Sequence, residues 1–134
     1  VSVFVSVFVS VFVSVFVSVF VLSDVVVSAV TDMPTLFCEE ESYYKEGVLV
    51  VPIHTKGFQN CDLFFDHVFA DDTGHVSGFK HFNKFKRFNE LSEVLLGQQP
   101  GRLSNKERIL AYNIGLGLHD IFFATKILEQ YSAK

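Results

Sequence analysis

Hydrophobic and polar positions follow two different rules along this chain. From Val1 to Val21 every odd position is Val, with Ser and Phe alternating on the even ones, so residues 1–20 are five identical copies of Val-Ser-Val-Phe. Period-two spacing of β-branched residues favours an extended strand with one all-Val face. Through Leu22 the stretch is also long and apolar enough to cross a bilayer as a helix, but its β-branched content disfavours a helix in water and no Lys or Arg flanks it. High β-propensity without charge or Pro is equally the signature of a steric zipper. A unit repeated without one substitution has, finally, the form of a translated simple repeat or an assembly error. That last reading is preferred: residues 1–22 are taken as a low-complexity, non-native segment, and function is sought in 23–134.

There the pattern changes to short apolar runs separated by polar turns. Asp24 to Val30 (DVVVSAV) and Gly47 to Ile53 (GVLVVPI) are continuous β-rich runs, the second closing at Pro52 or Ile53. Such runs predict strands buried on both faces, as in a parallel sheet. His67 to Ala70 (HVFA) predicts a third, closed by Asp71, Asp72, Thr73 and Gly74. Between them, Cys38–Lys45 reads as a surface connection or one to two helical turns, and Asp62–Asp66 has room for one turn. Phe79, Phe82, Phe85 and Phe88 recur every three residues, the spacing of a helical or 3₁₀ segment that packs a Phe stripe into the core. Asn89–Leu96 predicts a short helix capped by Asn89 and stopped by Gly97 and Pro100. Ser104 to Glu107 fits a capping box, yet the RILAYNI that follows is strand-like. Gly115–Lys134 predicts the clearest helix, with Leu118, Ile121, Phe122, Thr125, Leu128 and Tyr131 along one face. Strands alternating with helices make the class α/β.

Composition narrows the partners. The 134 residues are 49% hydrophobic and 19% charged, and all the charges lie beyond the repeat. A net charge of −4 and a pI near 5.7 argue against a nucleic-acid partner, even with Lys80, Lys84 and Lys86 interleaved among the phenylalanines. Cys38 and Cys61 form no C-x-x-C pair, which fits buried thiols and a cytoplasmic location and excludes a disulfide scaffold. There is no basic region of a secretory signal, and a membrane role is not expected.

Candidate chemistry is sparse. Gly115-Leu-Gly117-Leu-His-Asp120 begins like a dinucleotide fingerprint, but its last glycine is Asp and no βαβ unit follows. His67, His75 and His81 beside Asp66, Asp71 and Asp72 match no metal spacing, and no metal is predicted. Open parallel sheets bind ligands at the carboxyl ends of their strands, here 29–31, 53–55 and 70–72. His54, at the end of a buried strand, is the best-placed general acid or base, and a satisfied polar residue is an equal reading.

Taken in order, SDVVVSAVTDMP (23–34), EGVLVVPI (46–53), GFQNCD (57–62), HVFADD (67–72), ELSEVLLGQQPGRLSNKE (90–107) and NIGLGLHDIFFATKI (113–127) resemble the ornithine cyclodeaminase/mu-crystallin family. The PGR…GLGLHD ending is the most specific part, and the GFQNCDLFFDHVFADD wording looks like a divergent branch, the proteins labelled amine-oxidase accessory subunits. The resemblance implies a partial Rossmann-like parallel sheet with a C-terminal helix, preceded here by the β-prone repeat. It implies NAD or NADP as cofactor, a small amino-acid substrate, hydride transfer by deamination and cyclisation or by amino/imino-acid redox, and a homodimer in the intact protein. Ala29, Val30 and Thr31 match positions that line the cofactor, Asn113 and Gly115 match the Ser and Gly near the nicotinamide, and His54 falls where cyclodeaminases carry their catalytic Asp. The glycine-rich phosphate loop has no counterpart in these residues, so the chain reads as the C-terminal portion of an NAD(P)-binding domain, inactive alone. A non-catalytic NAD(P)-binding accessory subunit of mu-crystallin type is the alternative, and a structural or aggregating product dominated by the repeat is a third.

Overall fold

The computed structural model describes residues 3–6 as backbone, and residues 21–29, 39–54 and 58–132. Six strands, β1 (Val3–Ser6), β2 (Val25–Ser28), β3 (Leu49–Pro52), β4 (His67–Ala70), β5 (Phe88–Glu90) and β6 (Ile109–Tyr112), form one sheet in the order β1-β2-β3-β6-β4-β5. Every neighbouring pair is parallel. The class is α/β with a Rossmann-like sheet, and the repeat contributes its edge strand β1.

The order explains which residues are buried. The chain steps from β1 to β3, leaves one place vacant, lays down β4 and β5, then returns to insert β6 into the gap. Parallel crossovers are right-handed, so forward and backward steps travel over opposite faces. The forward connections cover one face: Val26, Val50, Val68, Ala70, Leu110 and Tyr112 lie there beneath Tyr44, Phe58, Phe65 and Val76, all buried. The return connection carries α2 (Leu91–Leu95), whose Leu91 and Val94 pack on Phe69, Ile109 and Ala111 of the other face. Strands β4 and β6 are buried throughout, as their continuous apolar wording requires, whereas β2 and β3 alternate buried and half-buried.

The phenylalanine stripe also forms as predicted. A 3₁₀ turn (Phe82–Lys84) brings Phe82 against Phe88 with ring centroids 4.9 Å apart, edge to face, and Phe79 against Tyr112 at 5.1 Å. Single 3₁₀ turns occupy Glu41–Tyr43 and Asp62–Phe64.

Three local expectations change. Phe88–Glu90 is strand rather than helix entry, paired with Val68–Ala70. The cap of α2 is therefore Glu90, whose N–H donates to the Glu93 carboxylate, while Asn89 turns its side chain to Glu93 and His67. The acidic turn after β4 holds a short helix, α1 (Thr73–Val76), capped by Asp72 accepting from Gly74 N at 2.7 Å. The strand-like reading of RILAYNI holds over the capping box: Glu107 turns its carboxylate to Leu103 N and Arg87, and β6 follows.

The C-terminal helix, α3 (Gly117–Ser132), is present, but none of its residues is buried. Its predicted apolar stripe covers nothing among the described residues. No helix among them is long and apolar enough to cross a membrane.

Candidate functional site at the carboxyl edge of the sheet

Backbone hydrogen bonds staple the strand exits into a row. Ile53 N donates to Ser28 O at 2.8 Å, Asn113 N to Pro52 O at 3.0 Å, and Asp71 N to Tyr112 O at 3.1 Å. The sheet therefore brings Ala29, His54, Asn113 and Gly115 to one edge, at the ends of β2, β3 and β6. Val30 and Thr31 lie outside the described residues.

Asp71 shapes this edge most. Its carboxylate, only 4% exposed, accepts from Asp72 N at 2.9 Å and from Gly115 N at 2.6 Å. Gly115 has φ +100°, a conformation that side-chain-bearing residues rarely adopt, and nothing stands within 4 Å of the Cβ position it leaves empty. The loop from β6 to α3 is thus clamped at a glycine that presents bare backbone. Around it lies an open depression of about 390 Å³ lined by Ile53, Asn113, Ile114, Gly115, Leu116, Gly117, His119 and Asp120. Nearby, Thr73 donates from N and Oγ1 to Glu90 Oε1 at 2.8 and 2.6 Å, and these bonds hold the Glu90 carboxyl below its usual range. The sequence offered one sign of Asp71, an acidic residue closing a buried strand, and none of its bond to Gly115, 44 residues away.

His54 sits between the edge and the interior. Its Nε2 is 2.9 Å from the hydroxyl of Ser28, which is wholly buried, and its Nδ1 is itself buried. Its ring stands 5.8 Å from that of Phe58. The ring is anchored at the end of β3 rather than directed into the depression.

The remaining candidates lie elsewhere. His67 is fully buried at the start of β4, where Nδ1 accepts from Arg87 and Nε2 donates to Asn89 Oδ1 at 3.1 Å. Arg87 also donates to Glu107 Oε1 at 2.7 Å and to Gly101 O at 3.1 Å. Burial, and then the charge of Arg87, push the His67 pKa down. On the opposite face of the sheet, Tyr44 donates to Cys61 Sγ at 3.0 Å, and burial pushes the Cys61 thiol up to about 12, an inert thiol rather than a nucleophile. Asp62, wholly buried, accepts from His81 Nδ1 at 2.8 Å through Oδ1, and burial raises its carboxyl above the usual range. Cys38 lies outside the described residues. Among the described residues no three His, Cys, Asp or Glu side chains gather as a metal site would require. A second depression, about 380 Å³, opens at the amino ends of the strands between Glu46, Asp66, Lys106 and Arg108; Lys106 pairs with Glu46, while Asp66 pairs with Lys86 and Arg108 with Glu41 outside it.

No family model matches the chain. Among curated proteins it is 27% identical over 114 residues to the nodulation efficiency protein NfeD of Rhizobium meliloti, a match covering 80% of this chain and 35% of that protein. Among solved structures it is similar to a probable ornithine cyclodeaminase from Bordetella pertussis, with a TM-score of 0.63 and 17% identity over 81% of this chain and 39% of that one. At that identity the likeness shows the fold. The chain spans a little over a third of the length of either protein.

Proposed function

We propose that the chain is part of a nicotinamide-nucleotide-binding unit of an ornithine cyclodeaminase-like protein, which transfers hydride between a small amino acid and NAD or NADP. One observation carries the reading: the parallel sheet gathers Ala29, His54, Asn113 and the clamped glycine Gly115 at the carboxyl ends of three adjacent strands, where open α/β sheets hold their ligands. The similarity in fold to a probable ornithine cyclodeaminase supports it.

The residues present fit one end of such a nucleotide. The depression beside Gly115 is apolar on Ile53, Ile114 and Leu116 and polar on Asn113, and the missing Cβ of Gly115 lets a flat ring approach the backbone. The pyrophosphate end has no counterpart here. The sequence contains no G-x-G-x-x-G loop, and Asp120 puts a negative charge in the first turn of α3, which opposes a phosphate at that helix end. A bound nicotinamide would supply the hydride acceptor. Asn113 would hold its polar edge, Ala29 would line its flank, and His54 would exchange the proton of the substrate nitrogen.

The test follows from that one-sided fit. Nicotinamide mononucleotide and NADH are titrated against the chain, read by amide chemical shifts. The expected result is comparable millimolar binding of both, with shifts centred on Asn113 and Gly115, and weakening in Asn113→Asp. No shift at those amides with either ligand overturns the reading.

The second reading, a non-catalytic NAD(P)-binding accessory subunit of mu-crystallin type, is favoured by the geometry of His54, which is tied to buried Ser28 with its other nitrogen buried. In a protein carrying a complete nucleotide site, His54→Asn slows hydride transfer at least about tenfold if the imidazole is the acid/base. An unchanged rate removes His54 from the mechanism, and no hydride transfer in the unsubstituted protein leaves the accessory role.

A further inference from the structure

The exit of β6 is gripped twice by one residue of the neighbouring strand. Asp71, which follows β4, donates from its backbone N to Tyr112 O at 3.1 Å and accepts through Oδ2 from Gly115 N at 2.6 Å. Asn113 lies between those two points, and its own N–H is tied on the other side to Pro52 O of β3. The carboxylate is itself held in place. It is 4% exposed, its Oδ1 accepts from Asp72 N at 2.9 Å, and His75 Nδ1 stands 3.4 Å from that same oxygen.

The gripped loop has little to order it from within. Asn113-Ile-Gly-Leu-Gly117 contains two glycines, and nothing stands within 4 Å of either missing Cβ. Glycine gives up more conformational freedom on ordering than any other residue. Among the described residues, the bond from Gly115 N to Asp71 is the one hydrogen bond that ties the loop between Asn113 and α3 to another strand. The core does not require it, because α3, which follows, buries none of its residues. What the bond fixes is the Asn113–Gly117 wall of the depression.

We propose that Asp71 is a positioning residue of the nucleotide site, a step that rests on the nicotinamide reading above. Acting through Gly115, its carboxylate holds the loop in the form that receives the ring, so that the ligand does not have to order it. A site that is competent only part of the time binds more weakly by that fraction, so loss of the clamp is read as affinity. A carboxylate suits the place because two N–H groups meet it on different oxygens. An amide has one oxygen and would turn its NH2 against one of them.

The experiment titrates nicotinamide mononucleotide against the full 134-residue chain and against Asp71→Ala, Asp71→Asn and Thr73→Val, read by amide chemical shifts. Thr73→Val removes the hydroxyl bond to Glu90 in the same turn and leaves the clamp, and unfolding midpoints verify that each variant is folded. The wild type and Thr73→Val are expected to bind alike, Asp71→Ala at least about fivefold more weakly, and Asp71→Asn in between. Without ligand, the Gly115 amide proton of Asp71→Ala moves upfield, the signature of a lost charge-assisted bond. If Asp71→Ala does not fold, Asp71→Asn decides alone, with about twofold or more weakening expected. Binding by the folded Asp71 variants as tight as the wild type's overturns the proposal, and so does an equal loss in Thr73→Val, which makes the effect a general loosening of the turn. Absence of any shift in the wild type overturns the nicotinamide reading itself, and the proposal with it.

Discussion

Acid should destabilise this fold through His67, and the sign and limit of the effect follow from its hydrogen bonds. Arg87 can only donate, so His67 Nδ1 must accept, and the proton of the neutral ring lies on Nε2, donated to Asn89. Protonation would set a second N–H against the Arg87 guanidinium inside the sheet. Burial and the Arg87 charge therefore hold the folded-state pKa below 6.5. In the unfolded chain the imidazole titrates near 6.5. Above that pH neither state is protonated and the neutral network contributes in full. Below it the unfolded state takes up a proton that the folded state refuses, and stability falls as pH falls toward the folded pKa. For one proton the slope approaches 1.36 kcal/mol per pH unit, so the loss by pH 5.5 is at most about 1.4 kcal/mol.

Urea unfolding of the wild type and His67→Gln at pH 7.5 and 5.5 isolates this effect. Glutamine can accept from Arg87 through its oxygen and donate to Asn89 through its nitrogen, and it does not titrate. Every other ionisable group is common to the two proteins, including Asp62, whose raised carboxyl pKa acts in the opposite direction. The wild type should lose about 1 kcal/mol more than the variant between the two pH values. Equal losses would refute the neutral-imidazole network.

Three further outcomes are expected. Tyr112 Oη is buried with no hydrogen-bond partner among the described residues, so Tyr112→Phe should raise the unfolding free energy by about 1 kcal/mol, and a loss of that size would show that the hydroxyl is bonded. Gly47 has φ +80° and its Cβ position lies 2.3 Å from Asn105 O, so Gly47→Ala should cost about 2 kcal/mol or more in urea unfolding, and a neutral result would place this turn differently. Cys61, with its thiol pushed up to about 12, should resist iodoacetamide at pH 8 in the folded chain and react in urea, as peptide mass spectrometry reads directly.

The strands that were legible are those whose burial is written locally. VVVS, LVVP, HVFA and ILAY are largely apolar because parallel strands between two covered faces have little solvent side, and β4 and β6 have none. Phe88-Asn-Glu was not legible, because an edge strand needs no apolar run and its polar residues are used sideways: Asn89 on His67 and Glu93, Glu90 on Thr73. The same contacts displaced the helix cap from Asn89 to Glu90. The insertion of β6 between β3 and β4 rests on pairings across 42 to 60 residues, such as Ile109 with His67 and with Leu49, which no local pattern encodes.

The candidate site divides along the same line. Strand ends sufficed to bring Ala29 and His54 to one edge, because each follows a strand whose extent was readable, whereas Asn113 and Gly115 were named by the family resemblance alone. What the edge can do depends on side-chain orientation, and there long-range bonds decide. Asp71 holds Gly115 in a conformation only glycine adopts readily, so the loop beside the depression is shaped by a carboxylate on a different strand. Ser28 holds the His54 ring at the end of β3, so a residue well placed for proton transfer is turned toward the protein. A substrate could engage His54 only if its imidazole rotates away from Ser28. The Ser28 bond is thus the structural feature on which the catalytic and the accessory readings divide, and Ser28→Ala separates them: it removes that bond and should change a hydride-transfer rate that depends on His54, while leaving nucleotide binding at Asn113 and Gly115 unchanged.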